Sequence, residues 1–565
     1  MFINGKKRIP IGYEDFREVI DKDFYYIDKT MLIHDILTGG GKNNLITRPR
    51  RFGKTLNLSM LRYFFDIRER DNFGLFDGLA ISKYYNEVAE YRNTHPVIML
   101  SLKGAKQNDF ETALKSICAE IKEKFSDYSF IVEGGRINEV EREGFRRIMS
   151  TDADAALFGS SVKLLSRCLK QYYGKNAIIL IDEYDVPLES AYFGGYYDEM
   201  VGFIRSLFES ALKTNDALEF SVITGCLRIS KESIFTGLNN LKTNTILNKR
   251  YSEYFGFNET EVKGLLDYYG MEKKFGTIKR WYDGYLFGDK EIYNPWSIMY
   301  YAGELLEDEE ADPKANWINT SSNNIIRSLI ENSTDETRSA VERLVNGGSI
   351  KTHLSETVTY EDMQKADENI WSFLFFTGYL RIQDTIPVNK ETGEEAVYTL
   401  VIPNIEIRTC YIKLIMNYFD SRKRSMDKEG LLEALLSGDA EGFARPVTSL
   451  LKSTVSYYDN AENFYHGLLV GLLSGNVYYR VESNRENGSG RSDIVIYQLD
   501  RAENAIIIEI KICDKNEMPD KAASRALEQI NEKHYDDEAR ERGYRRIQKY
   551  GVAFKDKICV VLHGE

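Results

Sequence analysis

The sequence predicts an α/β protein with two separate sheets. The N-terminal half reads as a doubly wound parallel sheet, and the C-terminal end reads as an αβββαβ unit. Three stretches predict this. Asn43-Asn44-Leu45-Ile46-Thr47 is a short apolar run that passes through the basic turn Arg48-Pro49-Arg50-Arg51-Phe52 into Gly53-Lys54-Thr55 and a helical pattern. Ala177-Ile178-Ile179-Leu180-Ile181 ends in Asp182-Glu183-Tyr184-Asp185. Ala505 to Ile512 is aliphatic except for Glu509 and Lys511.

The first stretch has the layout of a phosphate-binding loop: strand, loop, Gly-Lys-Thr, helix. A helix N-terminus offers unpaired N–H groups and partial positive charge. Gly53 lets the backbone approach a phosphate, Lys54 reaches the β- and γ-phosphates, and Thr55 places a hydroxyl on Mg²⁺. The full pattern wants a glycine where this chain has Arg48, and Pro49 removes an N–H donor. Arg48, Arg50 and Arg51 are then expected to supply charge where backbone donors are missing. The competing reading is a basic surface loop before a helix.

Val97 to Leu102 reads as a buried strand, and residues 108–173 as mainly helical. The second stretch is a central parallel strand whose carboxyl end carries acids, where ligands sit in open α/β sheets. Asp182 is expected to hold Mg²⁺, and Glu183 to orient and activate the attacking water. The competing reading is a core strand ending in a solvated acidic loop. A further strand, Leu218 to Gly225, places Thr224, Arg228 and Lys231 as candidates for sensing the γ-phosphate; their alternative role is to cap the next helix. The first 250 residues form the nucleotide-binding domain on this reading. Residues 251–430 form a mainly helical lid and connecting region, rich in aromatic turns such as Trp281-Tyr282-Asp283-Gly284-Tyr285.

Residues 431–565 form the third domain. Period-two geometry puts Glu509 and Lys511 on one strand face, and Asp493 lies one hairpin away. Charges in an otherwise aliphatic strand need a partner or a function. Two carboxylates and a lysine make a Mg²⁺ site in which the metal polarises a phosphodiester oxygen and acidifies water. Lys511 orients the water or stabilises transition-state charge, and Gln529 on the following helix holds water or substrate. Glu462, on the preceding helix, is expected to reach the metal through water. The bland alternative is a structural Glu–Lys pair at a strand end.

Composition bounds these readings. The chain has 565 residues and a net charge of −13, which argues against general nonspecific affinity for nucleic acid but allows a local basic groove. Its six cysteines are scattered without a CxxC pair, so a zinc site or disulfide framework is not expected. No signal peptide is read at the N-terminus, and the longest apolar run, Trp371 to Leu380, is too short to span a bilayer. The expectation is a cytoplasmic protein with no membrane partner.

Residues from about 8 to 300 resemble the predicted AAA-ATPase-like family of bacterial proteins. The matching words are Ile9-Pro10-Ile11-Gly12, Tyr26-Ile27-Asp28-Lys29-Thr30, Arg48 to Thr55, Leu180 to Asp185, Ser233 to Asn240 and Trp281 to Tyr285. An arginine in place of the first loop glycine belongs to that family's look. Residues from about 455 to 562 resemble the PD-(D/E)XK nuclease superfamily through Glu462, Phe464-Tyr465-His466-Gly467, Ser483 to Glu486, Gly490 to Asp493, Ile508 to Lys511 and Gln529-Ile530. The resemblance implies a P-loop NTPase sheet with a helical lid and a restriction-endonuclease-like C-terminal domain. It implies ATP and Mg²⁺ as cofactors and nucleic acid, DNA rather than RNA, as substrate. It leaves room for a homo-oligomer. The competing function is a nucleotide-dependent switch whose nuclease-like domain only binds nucleic acid or a protein partner.

Overall fold

The computed structural model describes residues 5–133, 135–150, 154–229, 234–235, 240–317, 335–345, 347–357, 360, 367–388, 395–422, 428–454, 462–473, 478–487, 490–499, 503–514 and 517–564. Inside several helices and strands the description is of the backbone alone, Glu462 among them. The chain divides into two compact units, Met1–Thr320 with Lys351–Glu406 and Ser321–Ile350 with Ile407–Glu565. No helix among the described residues is long and apolar enough to cross a membrane.

The first unit is built on five strands, β1 (Asn43–Thr47), β2 (Val97–Ser101), β3 (Ala177–Asp182), β4 (Leu218–Gly225) and β5 (Leu241–Asn244). All pair in parallel, in the order β2-β3-β4-β1-β5. Every residue of β3 is buried, which is why the strand is a continuous aliphatic run rather than an alternating one. The crossovers are helical: Lys54–Phe65 follows β1, Phe110–Ser126, Glu139–Met149 and Ala155–Tyr173 fill the connection to β3, and Tyr197–Phe208 leads toward β4. Strand order decides the chemistry. β4 lies between β1 and β3, with Thr47 opposite Gly225 and Ile181 opposite Ile223. The carboxyl ends of three strands therefore open at one place.

The aromatic segment forms a second core of this unit. Helices Glu259–Tyr269, Phe275–Tyr282 and Pro295–Glu307 pack Val262, Leu265, Ile278, Tyr282, Ile298 and Tyr301 with Ile9 of the N-terminal segment. The first of these helices begins with a capping box between Asn258 and Glu261. Glu261 also receives the ammonium of Lys29, at 2.6 Å to each oxygen, and that ammonium donates to the Glu253 carbonyl as well. Lys29 is thus a buried staple. Beside this core stands the hairpin of β6 (Tyr285–Phe287) and β7 (Lys290–Ile292). β8 (Ile350–Thr352) follows, and then β9 (Arg381–Ile386) pairs antiparallel with β10 (Val397–Val401).

The second unit holds β11 (Tyr479–Asn487), β12 (Gly490–Gln498), β13 (Asn504–Ile512), β14 (Arg546–Lys555) and β15 (Ile558–Gly564), hydrogen-bonded in chain order. Pairing is antiparallel except between β13 and β14, which run parallel because helix Pro519–Glu532 crosses over between them. Alternation sorts the sheet into two faces. Ile494, Ile496, Ile506, Ile508 and Ile510 pack with Leu435, Phe443, Leu451 and Leu469 of the preceding helices. Each such buried side chain contributes roughly 1.5–3 kcal/mol. The other face sets Val495, Tyr497, Ala505 and Ile507 against Ile530, Tyr535 and Ala539. Glu509 and Lys511 share that second face by period-two geometry.

Two candidate functional sites

The loop between β1 and helix Lys54–Phe65 is held from both sides. The Arg48 N–H donates to the Gly225 carbonyl at 3.0 Å, fixing the loop's start to the end of β4. Gly53 ends the loop at φ +78° as the residue before the helix, with no side-chain cap on the first N–H groups. Lys54 folds back, its ammonium donating to the carbonyls of Arg48 and Pro49 at 3.0 Å each and to Cys226 Sγ at 3.6 Å. Thr55 Oγ1 donates to Asp182 Oδ2 at 2.6 Å, and Thr224 Oγ1 donates to Asp182 Oδ1 at 2.5 Å. Asp182 thus stands between two hydroxyls, one from each neighbouring element. Glu183 follows at φ +52°, in the left-handed region, half-buried; burial raises its carboxyl above the ordinary range, while Lys54 pulls it down. Asp185 is buried, and one of its oxygens accepts the N–H groups of Cys226 and Leu227 at 2.7 and 3.0 Å.

The basic residues of the loop are placed differently from the expectation. The Arg48 guanidinium is fully buried and donates to the carbonyls of Thr47, Asn244 and Arg250 at 2.7, 3.0 and 3.4 Å. It lies over the rings of Phe255 and Phe287, 5.4 Å from each. A side chain this long, starting where a glycine was wanted, runs into the core beside β5, and its charge is spent on backbone oxygens. Phe52 is fully buried against Tyr285 and Phe287, anchoring the loop to the β6–β7 hairpin. Arg50 forms an ion pair with Glu189, and Arg51, at φ +69°, stacks 3.7 Å from the centre of the Trp296 ring. Arg228 lies half-buried just beyond β4, next to Leu227 and Ile229, whose backbone groups bind the Tyr184 hydroxyl. Among the described residues the hydroxyls of Thr55 and Thr224, not the Arg228 guanidinium, hydrogen-bond to Asp182. Lys231 and the stretch from Thr236 to Asn239 lie outside the described residues.

The second site forms where β12 meets β13. Asp493 Oδ2 accepts the Ile510 N–H at 2.7 Å, which turns its carboxylate toward the ladder residue between Glu509 and Lys511. Lys511 Nζ donates to Glu509 Oε1 at 3.0 Å, and the amide of Gln529 donates to the same oxygen and to the Tyr535 hydroxyl at 3.2 Å. The other oxygen of Glu509 is buried with no hydrogen-bond partner among the described residues. Burial first, and then the nearby charge of Asp493, carries the Glu509 carboxyl up to about 7. Asp493, Glu509, Lys511 and Gln529 therefore converge. Gly551 makes this possible: it lies opposite Glu509, and a Cβ there would stand 2.1 Å from the Ala523 carbonyl oxygen, so only glycine admits helix Pro519–Glu532 this close. The side chain of Glu462 lies outside the described residues.

Three neighbours were not read from the sequence as chemical. His466 Nε2 lies 2.8 Å from the Asp493 carbonyl oxygen, Tyr535 braces Gln529, and Cys226 touches Lys54. No spacing rule singles them out: His466 and Cys226 come from 27 and 172 residues away, and Tyr535, 6 residues after Gln529, lies beyond the end of its helix.

Comparisons with known proteins agree with this architecture. Residues 10–235 match the family described as Predicted AAA-ATPase, and residues 460–564 match the PD-(D/E)XK nuclease superfamily. The chain is also 26% identical to a protein of Azotobacter chroococcum mcd 1 described as an uncharacterized protein in the vnfD 5' region. The alignment covers 99% of this chain and 98% of that one, so the similarity runs along the length of both. The chain thus carries an AAA-ATPase-like domain and a PD-(D/E)XK nuclease superfamily domain.

Proposed function

We propose that the chain binds and hydrolyses ATP in its first unit and cuts phosphodiester bonds of nucleic acid, DNA rather than RNA, in its second, with the nucleotide state licensing the cut. The observation that carries the reading is the convergence of Asp493, Glu509, Lys511 and Gln529 on one face of an otherwise aliphatic sheet. Without a function, two acids and a lysine there would be an expensive way to end a strand.

The donor set of the second site fits Mg²⁺. A buried Glu509 oxygen without a proton donor is relieved by a cation, and Asp493 stands beside it. Mg²⁺ keeps several waters and needs only one or two carboxylates, so this pair suffices. When bound, it would polarise a phosphodiester oxygen and acidify a water. Lys511 holds Glu509 in place and offers its ammonium to charge developing on the phosphate. Gln529, braced by Tyr535, donates to the same Glu509 oxygen as Lys511, which leaves the other oxygen for the cation.

The first site fits a nucleoside triphosphate with Mg²⁺ through the uncapped N–H groups of residues 54 and 55, the Thr55 hydroxyl and Asp182. Lys54 would exchange the loop carbonyls for phosphate oxygens. Glu183, half-buried beside Asp182 with its carboxyl raised by burial, would take a proton from water. The six cysteines are all free, which fits a reducing cytoplasm.

The test is plasmid cutting in Mg²⁺, with and without ATP, by the wild type and by Asp493→Ala. The expected result is nicking or linearisation that needs Asp493 and changes in rate with ATP. Cutting that is absent, or equal in the variant, would leave the second unit as a binding module.

A further inference from the structure

A second lysine stands at the nucleotide site, from an element that no motif marks. β2 runs beside β3 with Ser101 opposite Asp182, and the Leu102 N–H donates to the Asp182 carbonyl at 3.0 Å. The residue after Leu102 must therefore emerge beside the Asp182–Glu183 turn. It is Lys103, opening a short helical turn closed by the Ala105 N–H on the Leu102 carbonyl at 3.1 Å. Its ammonium binds both oxygens of Glu14, at 3.0 and 3.2 Å, and lies within electrostatic reach of Glu183 and Asp182. Glu14 is in turn felt by Arg51 of the phosphate loop. The side chains of Lys103 and Glu14 are 59% and 60% exposed, and an ion pair that open to water is weak enough to exchange.

We propose that Lys103 is a γ-phosphate ligand, parked on Glu14 while the site is empty and drawn onto a nucleoside triphosphate when one binds. This deepens the ATP-site reading above and rests on it. The chemistry is selective. A diphosphate ends at the β-phosphate, which Lys54 serves from the loop; only a third phosphoryl group extends toward the carboxyl ends of β3 and β2, where Lys103 emerges. Because Lys103 lies across the Asp182–Glu183 turn from Lys54, the two ammonium groups would hold the terminal phosphoryl group from opposite sides. That is the placement charge stabilisation in phosphoryl transfer requires.

The experiment is calorimetric titration of the full chain, in Mg²⁺, with ADP and with a non-hydrolysable ATP analogue. Lys103→Ala is expected to weaken analogue binding about tenfold, the loss of one charge-assisted contact, and to leave ADP affinity within about twofold. Lys103→Arg is expected to recover most of the loss. Glu14→Gln, which removes the charge of the parking partner and keeps its size, is expected to tighten analogue binding and leave ADP affinity within about twofold. Equal weakening toward both nucleotides, or none, in Lys103→Ala would overturn the role of Lys103 while leaving the ATP site standing. A wild type that binds neither nucleotide would overturn the ATP reading itself.

Discussion

The Thr55 hydroxyl donates to Asp182 at 2.6 Å across 127 positions of sequence. That one bond ties the helix that starts the phosphate loop to the strand that carries the acids. It exists because β4 has been placed between β1 and β3, with its own Thr224 donating to the other oxygen of Asp182. A loop before a solvent-exposed helix, or a core strand ending in a solvated acidic turn, would have no reason to meet in this way.

Lys54→Ala is expected to lower phosphate release from ATP by about 10²-fold or more, since on the proposed function it removes the cation that would face the transferred phosphoryl group. It also strips donors from the carbonyls of Arg48 and Pro49. Both carbonyls belong to buried residues, so the thermal midpoint without nucleotide should fall as well, by the cost of unsatisfied buried acceptors. Phosphate release at equal rates in wild type and variant would retire the ATPase claim.

Gly551→Ala is expected to damage the second unit by displacement. The added methyl meets the Ala523 carbonyl at 2.1 Å and Leu527 at 3.0 Å, and backbone cannot yield as a flexible side chain can. Overpacking of this kind destabilises by about 1–3 kcal/mol. Because Gln529 rides on the displaced helix, Asp493-dependent cutting should fall further than the loss of folded protein explains. Unchanged cutting with a lowered melting temperature would show that Gln529 is not needed at Glu509.

How much of this was legible in the chain differs from residue to residue. Asp182, Lys54 and Thr55 were legible because strand, loop and helix leave a period and a turn signature, and the parallel sheet then has few ways to join them. Glu509 and Lys511 were legible because charge interrupts an aliphatic run. The direction of a long side chain was not. Arg48 reads as a phosphate ligand by position, yet its neighbours in space, Asn244, Arg250, Phe255 and Phe287, are contributed from about 200 residues away. Lys29 within Tyr26–Thr30 likewise carries a buried ion pair whose partner, Glu261, no local pattern announces.

Arg48 accordingly gives a prediction that separates the two roles. If its guanidinium fills a cage of three carbonyls in the core, Arg48→Met should lower the stability of the first unit without any nucleotide present. Unsatisfied buried oxygens cost about 1–3 kcal/mol each before relaxation. Differential scanning fluorimetry of the ligand-free protein reads this directly. An unchanged midpoint together with weakened ATP binding would return Arg48 to the phosphate.

Glu406 should make the first unit's stability depend on pH. Its carboxylate is fully buried, accepts the Ser297 hydroxyl at 3.0 and 2.8 Å and the Trp317 N–H at 2.9 Å, and burial carries its pKa from 4.5 to about 7. A carboxyl that holds its proton more tightly when folded takes up a proton on folding between those two values. Stability from this group is therefore fully present below about 4.5, falls as pH rises toward 7, and is flat above; the change is at most about 3 kcal/mol. Glu406→Gln keeps the shape, with the amide oxygen accepting from Trp317 and the amide nitrogen donating to Ser297, and has no proton to release. Denaturant midpoints at pH 5.5 and pH 8 should differ less in the variant than in the wild type, and the variant should be the more stable of the two at pH 8. An identical slope in both proteins would place the pH dependence on another group.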